Sequence, residues 1–402
     1  MDDKDDKKIA DRVNSFAESQ TLGMAKLGRE LAAKGFDVIN LSLGEPDFNT
    51  PDHIKQAAKQ AIDDNYTHYT PVAGYMDLRE AVSEKFRREN NLQYTPDQVV
   101  VSTGAKQSLM NVVLSLVNPG DEVVIPSPYW VSYSSMVEFA GGKPVLVYAG
   151  VNQDFKVTPA QLEAHITPKT RLMMFSSPCN PSGSVYSKAE LEAIADMLEK
   201  YPHVYILSDE IYEHINYIGN HETIAGFKNL KNRVIVVNGV SKAFAMTGWR
   251  IGYIGAPRHI AAACEKIQGQ FTSGTNAIAQ RAALAALTQS LAPTLQMKET
   301  FLKRRNLAVQ LMSEIPGLKC NVPQGAFYLF PEISEYFGKS DGNITIKTAT
   351  DLSMYILEKA HVTTVTGEAF GSDNNLRLSY ATSDANIKEA FARIKTALSQ
   401  LR

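Results

Sequence analysis

From about residue 98 the chain alternates between short β-branched runs and longer amphipathic segments, and this alternation most narrows the folds open to it. Val99-Val-Val101, Glu122-Val-Val-Ile125, Pro144–Tyr148, Arg171–Phe175, Val204-Tyr-Ile-Leu207, Val234-Ile-Val-Val237 and Ile251-Gly-Tyr-Ile254 each have the length and apolar character of a buried strand. An apolar helix through Leu116 follows the first run, Gly141-Gly142 ends the next helix, and Ser187-Lys-Ala-Glu190 is a capping box opening another. The pattern predicts an α/β fold with a mostly parallel sheet flanked by helices. In such sheets ligands bind outside the carboxyl ends of the strands. The residues that follow each run are therefore the candidates for function.

Those residues are chemically distinctive. Between the last two runs lies Asn238-Gly-Val-Ser-Lys-Ala-Phe-Ala-Met-Thr-Gly-Trp-Arg-Ile-Gly252, which places Lys242 in a small-residue turn with Arg250 eight residues on. A lysine in a cleft can shed its proton and attack a carbonyl, and a nearby arginine suits a phosphate. Ser102-Thr-Gly-Ala-Lys-Gln107 joins a strand to a helix through small residues, which is the general form of a phosphate cradle, with Gly104 and Ala105 as its backbone contacts. Asp209 follows the run ending at Leu207 and can hold a pyridine nitrogen in its protonated form. Together these residues point to pyridoxal 5'-phosphate. Any one of them has a plainer explanation: single lysines are mostly solvated, and Asn180-Pro181 marks a turn. It is the ordered set that carries the chemistry.

From Gly239 to Gly252 the segment resembles, residue for residue, the lysine signature of the class I aminotransferases of fold type I. Further matches extend the resemblance over about residues 12–400 and are most like the bacterial and archaeal aspartate aminotransferase branch. The resemblance implies a large cofactor-binding domain over residues 50–293, a small α+β domain built from both chain ends (1–49 and 294–402), and a homodimer with shared active sites. It implies Lys242 as the catalytic lysine, Asn180 and Tyr212 (in Asp209-Glu-Ile-Tyr212) on the cofactor's phenolic oxygen, and Trp130 on its ring. Tyr69 would reach the phosphate in the neighbouring subunit's site. Gly44, in Gly44-Glu-Pro-Asp-Phe48, would touch the substrate carboxylate through its backbone, and Arg377 would clamp the α-carboxylate. Trp130 and Asn180 would contact substrate as well. Lys106 would hold a side-chain carboxylate together with Thr21, or act as a third phosphate ligand.

The implied reaction is transfer of the amino group from L-aspartate to 2-oxoglutarate in a ping-pong cycle. Aromatic, kynurenine and aspartate/prephenate transamination are the alternatives within the family. Two departures bear on specificity. Gln268-Gly-Gln-Phe-Thr-Ser273 offers no arginine where another branch uses one from the partner subunit, and Glu18-Ser-Gln-Thr21 lacks the proline of prephenate-accepting members. Gly239 also stands where some relatives carry a phosphate-binding serine.

Several classes are disfavoured. The net charge of −2 argues against nucleic acid or an anionic membrane as the main partner. No apolar stretch reaches the ~18 residues of a membrane span. The charged Met1–Lys8 run is no secretory or transit signal and reads as a solvated end. Cys179, Cys264 and Cys320 are scattered, with no C-x-x-C, so neither a metal site nor a disulfide framework is expected and the setting reads as cytoplasmic. No dinucleotide fingerprint supports a dehydrogenase. A transcription regulator would need a helix-turn-helix domain of about sixty residues before the fold begins.

Elsewhere the pattern predicts an amphipathic segment over 12–36 and a strand over 38–43. A helix capped by Thr50, with the stripe Ile54, Ala57, Ala58, Ala61 and Ile62, comes next, then one around Leu78, Val82 and Phe86. An alanine-rich helix is expected from 258 to about 288, then a linking helix through Arg305. Strands are expected at Ala326–Phe330, Val362–Val365 and Asn375–Tyr380, with helices at Thr348–Lys359 and Asp384–Arg402. Arg377 alternates with Leu376 and Leu378, so it points away from their face, and on pattern alone it is a surface arginine.

Overall fold

The structure, a computed structural model, describes Ala10, Val13 and residues 20–402. The Met1–Lys8 run and most of the expected segment before residue 20 lie outside the described residues.

The chain enters through helix α1 (Gln20–Ala33) and the two-residue strand β1 (Ile39–Asn40), shorter than expected. Helix α2 (Asp52–Asp63) is not capped by Thr50. Pro51 takes the N-cap position, and the Thr50 hydroxyl instead donates to the Ala245 carbonyl (2.7 Å) and accepts from Trp249 Nε1 (3.0 Å). Thr50 thus ties the chain entry to the lysine segment. Only Ile54, Ala58 and Ala61 of the expected stripe are buried, and Ile62 is exposed. Helix α3 (Met76–Asn90) buries Leu78, Val82 and Phe86 as its periodicity requires.

The alternating region then follows its pattern closely. Its elements are β2 (Val99–Thr103), α4 (Ala105–Leu116), β3 (Glu122–Ser127), α5 (Ser132–Phe139), β4 (Lys143–Tyr148), α6 (Pro159–Glu163), β5 (Thr170–Ser176), α7 (Lys188–Glu199), β6 (Tyr205–Asp209), β7 (Val234–Gly239) and β8 (Ile251–Gly255). The capping box at Ser187 and Glu190 forms. The strands make one seven-stranded sheet in the order β2-β8-β7-β6-β5-β3-β4, in which β8 alone runs antiparallel to its neighbours. Its two faces bury alternate residues: Val99, Val101, Ile206, Val234 and Val236 on one side, Val100, Leu207, Ile235 and Val237 on the other. Because β8 is reversed, its start joins the carboxyl ends of β2, β3, β5, β6 and β7 along one edge of the sheet. Gly252 is at that edge for a steric reason, since a Cβ there would collide with the backbone of Gly104 and Ala105.

The alanine-rich stretch is two helices, α8 (Arg258–Phe271) and α9 (Ala277–Thr288). The break falls where Ser273 turns left-handed and Gly274 packs against Thr70 and Pro71, and Asn276 caps α9 by accepting from the Ala279 N–H (2.8 Å). Helix α10 (Ala292–Ser313) runs on to a second core, and the expected division near Pro293 falls within its first turn. Strand β9 (Tyr328–Leu329) is short because Ala326 has positive φ. After α11 (Ala349–Ala360), the expected single strand at 362–365 divides into β10 (Val362–Thr363), which pairs with β1, and β11 (Val365–Thr366). Strand β11 pairs instead with β12 (Leu376–Ser379), which also borders β9, and α12 (Asp384–Leu398) closes the chain. Ile39 and Leu41 share this second core with Phe327, Leu352, Leu378 and Phe391.

Candidate active site

The carboxyl edge of the sheet and the second core enclose a cleft of about 570 Å³. Thr21, Gly44, Ala105, Lys106, Trp130, Asn180, Asp209, Tyr212, Lys242, Arg250 and Arg377, all singled out in the sequence, line it. Each strand end delivers one of them: α4 after β2, Trp130 after β3, Asn180 after β5, Asp209 closing β6, and Lys242 between β7 and β8. Its charged lining is Lys106, Lys242, Arg250 and Arg377 against Glu45 and Asp209. That excess of cations suits a ligand set carrying phosphate and carboxylate groups.

Lys242 is half-buried, and its ammonium donates to the Gly44 carbonyl (2.5 Å). Burial holds its pKa down to about 8; Glu45 opposes that shift, and the charges of Arg377 and Arg250 add to it. A substantial fraction is therefore neutral amine at mildly alkaline pH, as a nucleophile or proton carrier requires.

Asp209 is buried, and burial pushes its carboxyl up to about 6. The Tyr133 hydroxyl (2.8 Å) and the Ile211 N–H (3.2 Å) donate to it and moderate the rise. A cationic N–H from a ligand ring would supply the counter-charge this carboxylate lacks. Tyr212 is buried close by, and its hydroxyl pairs with that of Tyr328 at 2.7 Å.

The phosphate end is built from α4 and Arg250. As the first residues of α4, Ala105 and Lys106 carry N–H groups with no intrahelical acceptor. Gly104 contributes differently from expectation: its own N–H is tied back to the Ser102 carbonyl (2.7 Å). What it provides is room, because φ is +83° and a Cβ would strike the Arg250 guanidinium. Arg250 is exposed and left-handed, with one arm donating to the Thr247 carbonyl at 2.8 Å.

Arg377 is the largest departure from the strand pattern. It does point away from Leu376 and Leu378, yet it is only 1% exposed, because the cleft rather than solvent lies on that side. Its guanidinium donates to Asn180 Oδ1 (3.1 Å) and to the Ser42 carbonyl (2.5 Å), and it stacks over the Tyr328 and Phe370 rings. Its Nε is buried with no hydrogen-bond partner. Thr21 Oγ1 is a second orphan in the cleft wall. Lys106 lies over the Trp130 ring at 5.0 Å, and burial, helped by Arg250, lowers its pKa. Unpartnered donors around one cleft mark where a polar ligand would bind.

Tyr69 is not brought to this cleft, and it stands 99% exposed. Sequence reasoning missed Tyr133, Tyr328, Ser241 and Glu45, which line the cleft or support it. Tyr133 had a signal, one helical turn beyond Trp130, and Ser241 adjoins Lys242. Tyr328 reads as an ordinary core residue of an apolar strand.

The model of the family described as aminotransferase class I and II matches residues 37–394. The aspartate/prephenate aminotransferase of Cereibacter sphaeroides is 48% identical over 390 residues, which span 96% of this chain and 98% of that protein. The crystal structure of the aspartate aminotransferase from Rhizobium meliloti superposes with a TM-score of 0.95 at 45% identity, covering 98% of this chain and 99% of that one. The aspartate aminotransferase of Thermus thermophilus with maleate superposes with a TM-score of 0.91 at 39% identity, covering 97% of this chain and 99% of that one.

Proposed function

The chain belongs to the class I and II aminotransferases, which use pyridoxal 5'-phosphate, and from that premise we propose that it transfers the amino group of L-aspartate to 2-oxoglutarate. The observation that carries the reading is the cleft's charge arrangement: an amine of lowered pKa on Lys242, a buried carboxylate on Asp209, and three further cations spread along the walls. The residues present fit the cofactor. The first turn of α4, Arg250 and Ser241 would hold its phosphate, Asp209 its ring nitrogen, and Asn180 and Tyr212 its phenolic oxygen, with Trp130 against the ring.

Bound there, pyridoxal phosphate supplies an electron sink that weakens the bonds at the substrate Cα. Arg377 binds the substrate α-carboxylate with its guanidinium fork and aims the Cα–H bond. Lys242 Nζ takes the proton from the substrate Cα, and in the second half-reaction it delivers a proton to the carbon that becomes the Cα of the product amino acid. Asp209, ionised, would hold a protonated ring nitrogen of the cofactor. Lys106 and the orphaned Thr21 hydroxyl hold the second carboxylate of a dicarboxylic substrate. Support comes from the relatives, which are named for aspartate, and from a dicarboxylate, maleate, in the Thermus complex.

Prephenate is the second reading, favoured by the name of the Cereibacter relative. Prephenate too carries two carboxylates, so the same groups would bind it. We further propose a homodimer, since Tyr69 and Phe271 are large aromatic side chains left exposed on this chain. The setting we propose is the cytoplasm, which suits three free cysteines. Among the described residues, no helix is long and apolar enough to cross a membrane.

The deciding experiment is an absorbance spectrum of the purified holoprotein during stepwise addition of L-aspartate. The visible band should fall as a near-ultraviolet band rises, and 2-oxoglutarate should reverse the change. A band that answers only to aromatic amino acids would sink the aspartate assignment. Loss of the response to aspartate but not to phenylalanine in Lys106→Ala would place Lys106 on the second carboxylate.

A further inference from the structure

The turn from Asp209 to His214 has two faces. Asp209 and Tyr212 face the cleft, while Glu210, Glu213 and His214 face the other way, into a buried charge cluster that touches none of the cleft. Lys85 on α3, 1% exposed, forms an ion pair with Glu213 Oε1 and donates to Asn90 Oδ1 at 2.8 Å. Asn90 Nδ2 in turn donates to Glu213 Oε2 at 2.8 Å, which closes a three-membered ring of contacts between α3 and the turn. His214 bridges Glu213 and Glu89. On the neighbouring side Glu210 accepts from Ser208 (2.8 Å), Thr223 (2.6 Å) and His221 (2.9 Å). Burial raises the Glu213 pKa, but the positive charge of Lys85 and those of His214 and His221 outweigh it and hold the carboxyl far below its ordinary value.

A buried ion pair of this kind is weak evidence for stability, because desolvation offsets most of its attraction. Its geometry offers a better reason for it. Glu213 directly follows Tyr212 in sequence, and its N–H donates to the Glu210 carbonyl at 2.9 Å, so the anchored Glu213 side chain sits on the backbone of the same turn as Asp209 and Tyr212. Glu210, Glu213 and His221 also lie close enough to share a metal ion. The Lys85 ammonium already supplies positive charge beside Glu213, while His221 Nδ1 is left without a hydrogen-bond partner.

We propose that Lys85, Asn90 and Glu213 are positioning residues that lock the turn to α3 and thereby set the aim of Asp209 and Tyr212 at the cofactor ring. This rests on the reading of Asp209 and Tyr212 as the ring contacts. Tyr212 donating to the phenolic oxygen favours its ionised form, so a misaimed Tyr212 raises the pH at which the bound chromophore titrates.

The test uses the full-length holoprotein. Removing one charge alone would strand the other in the core, so the informative variant is the paired apolar swap Lys85→Met with Glu213→Leu, a kind of replacement that can leave stability intact. Two quantities are read: the pH midpoint of the visible band, and the dissociation constant for pyridoxal phosphate from the apo form. The midpoint should rise by about half a pH unit, and the dissociation constant by about tenfold, the scale typical when outer partners of a bound group are lost. Tyr212→Phe serves as reference and should move the midpoint in the same direction. Combined with the paired swap it should add less than the sum of the two, since both act through one contact. A folded paired variant with both quantities unchanged, beside a Tyr212→Phe that shifts them, overturns the inference and leaves the site reading standing. A Tyr212→Phe without effect overturns the site reading and the inference with it. If the paired variant does not fold, Asn90→Ser decides. It breaks the ring without removing a charge, and it should shift the midpoint in the same sense by a smaller amount; no shift overturns the proposal.

Discussion

At the scale of single residues the cleft works by burying charge against its preference. Lys242 is driven toward its neutral form and Asp209 toward its protonated form, both chiefly by loss of water. For Asp209 the sign of the stability effect is definite. Its pKa rises from 3.8 to about 6 on folding, so the native state binds this proton more tightly than the unfolded chain. The apo protein therefore loses stability as pH rises from about 4 to about 6, by at most about 3 kcal/mol for a shift of this size. Asp209→Asn cannot ionise. The apo variant should unfold at higher denaturant than the parent at pH 7.5, with the difference vanishing near pH 4, while its affinity for pyridoxal phosphate drops. Denaturant melts of the two apo proteins across that range check this; a gap that does not depend on pH contradicts it. The identities at this scale were legible early, because lysine, aspartate and arginine each have few roles just beyond a core strand. Tyr133 and Tyr328 were not, since a buried tyrosine in an apolar strand or helix gives no sign of where its hydroxyl points.

Among elements, the lysine segment between β7 and β8 depends on a contact from far along the chain. Thr50 joins the entry of α2 to Ala245 and Trp249 on either side of Met246. The hydroxyl was expected to cap α2, and local propensity supports that expectation. It lost to tertiary demand, because Pro51 already sets the helix start and the Trp249 N–H needs an acceptor. Thr50→Val keeps the shape and removes both hydrogen bonds. It should cost about 1–3 kcal/mol, the penalty for leaving a half-buried donor unmade, and loosen the lysine segment. Urea unfolding measures the first effect, and hydrogen exchange at 243–250 the second. Unchanged exchange there would show that the segment holds itself. The split of the alanine-rich stretch into α8 and α9 has the same kind of cause: Gly274 packs against Thr70, more than 200 residues away in sequence, and composition alone cannot register that approach.

For the molecule as a whole, the site is assembled from distant parts. Gly44 and Thr21 come from the chain entry, the lysine and carboxylate from the sheet, and Arg377 from β12. Tyr69 is an expected contributor that this chain does not bring to its own cleft. If it serves the partner's site, Lys242→Ala and Tyr69→Phe, each weak alone, should complement each other in mixed dimers. One site of each hybrid is then intact, so roughly a quarter of all sites in a fully exchanged mixture recover. Activity measured after co-refolding the two variants tests this, and a mixture no better than the mean of its parts rejects it. By itself the amino-acid sequence determined the sheet strands, the helices between them and the residues at each strand's end. Those follow from short-range periodicity and from side-chain chemistry, which are local properties. Only the tertiary structure decided that Arg377 is buried, that Val362–Thr366 serves two sheets, and that a ring of Lys85, Asn90 and Glu213 stands behind the turn. Burial and partnership depend on which distant segments close over a residue, and no window of sequence around that residue contains them.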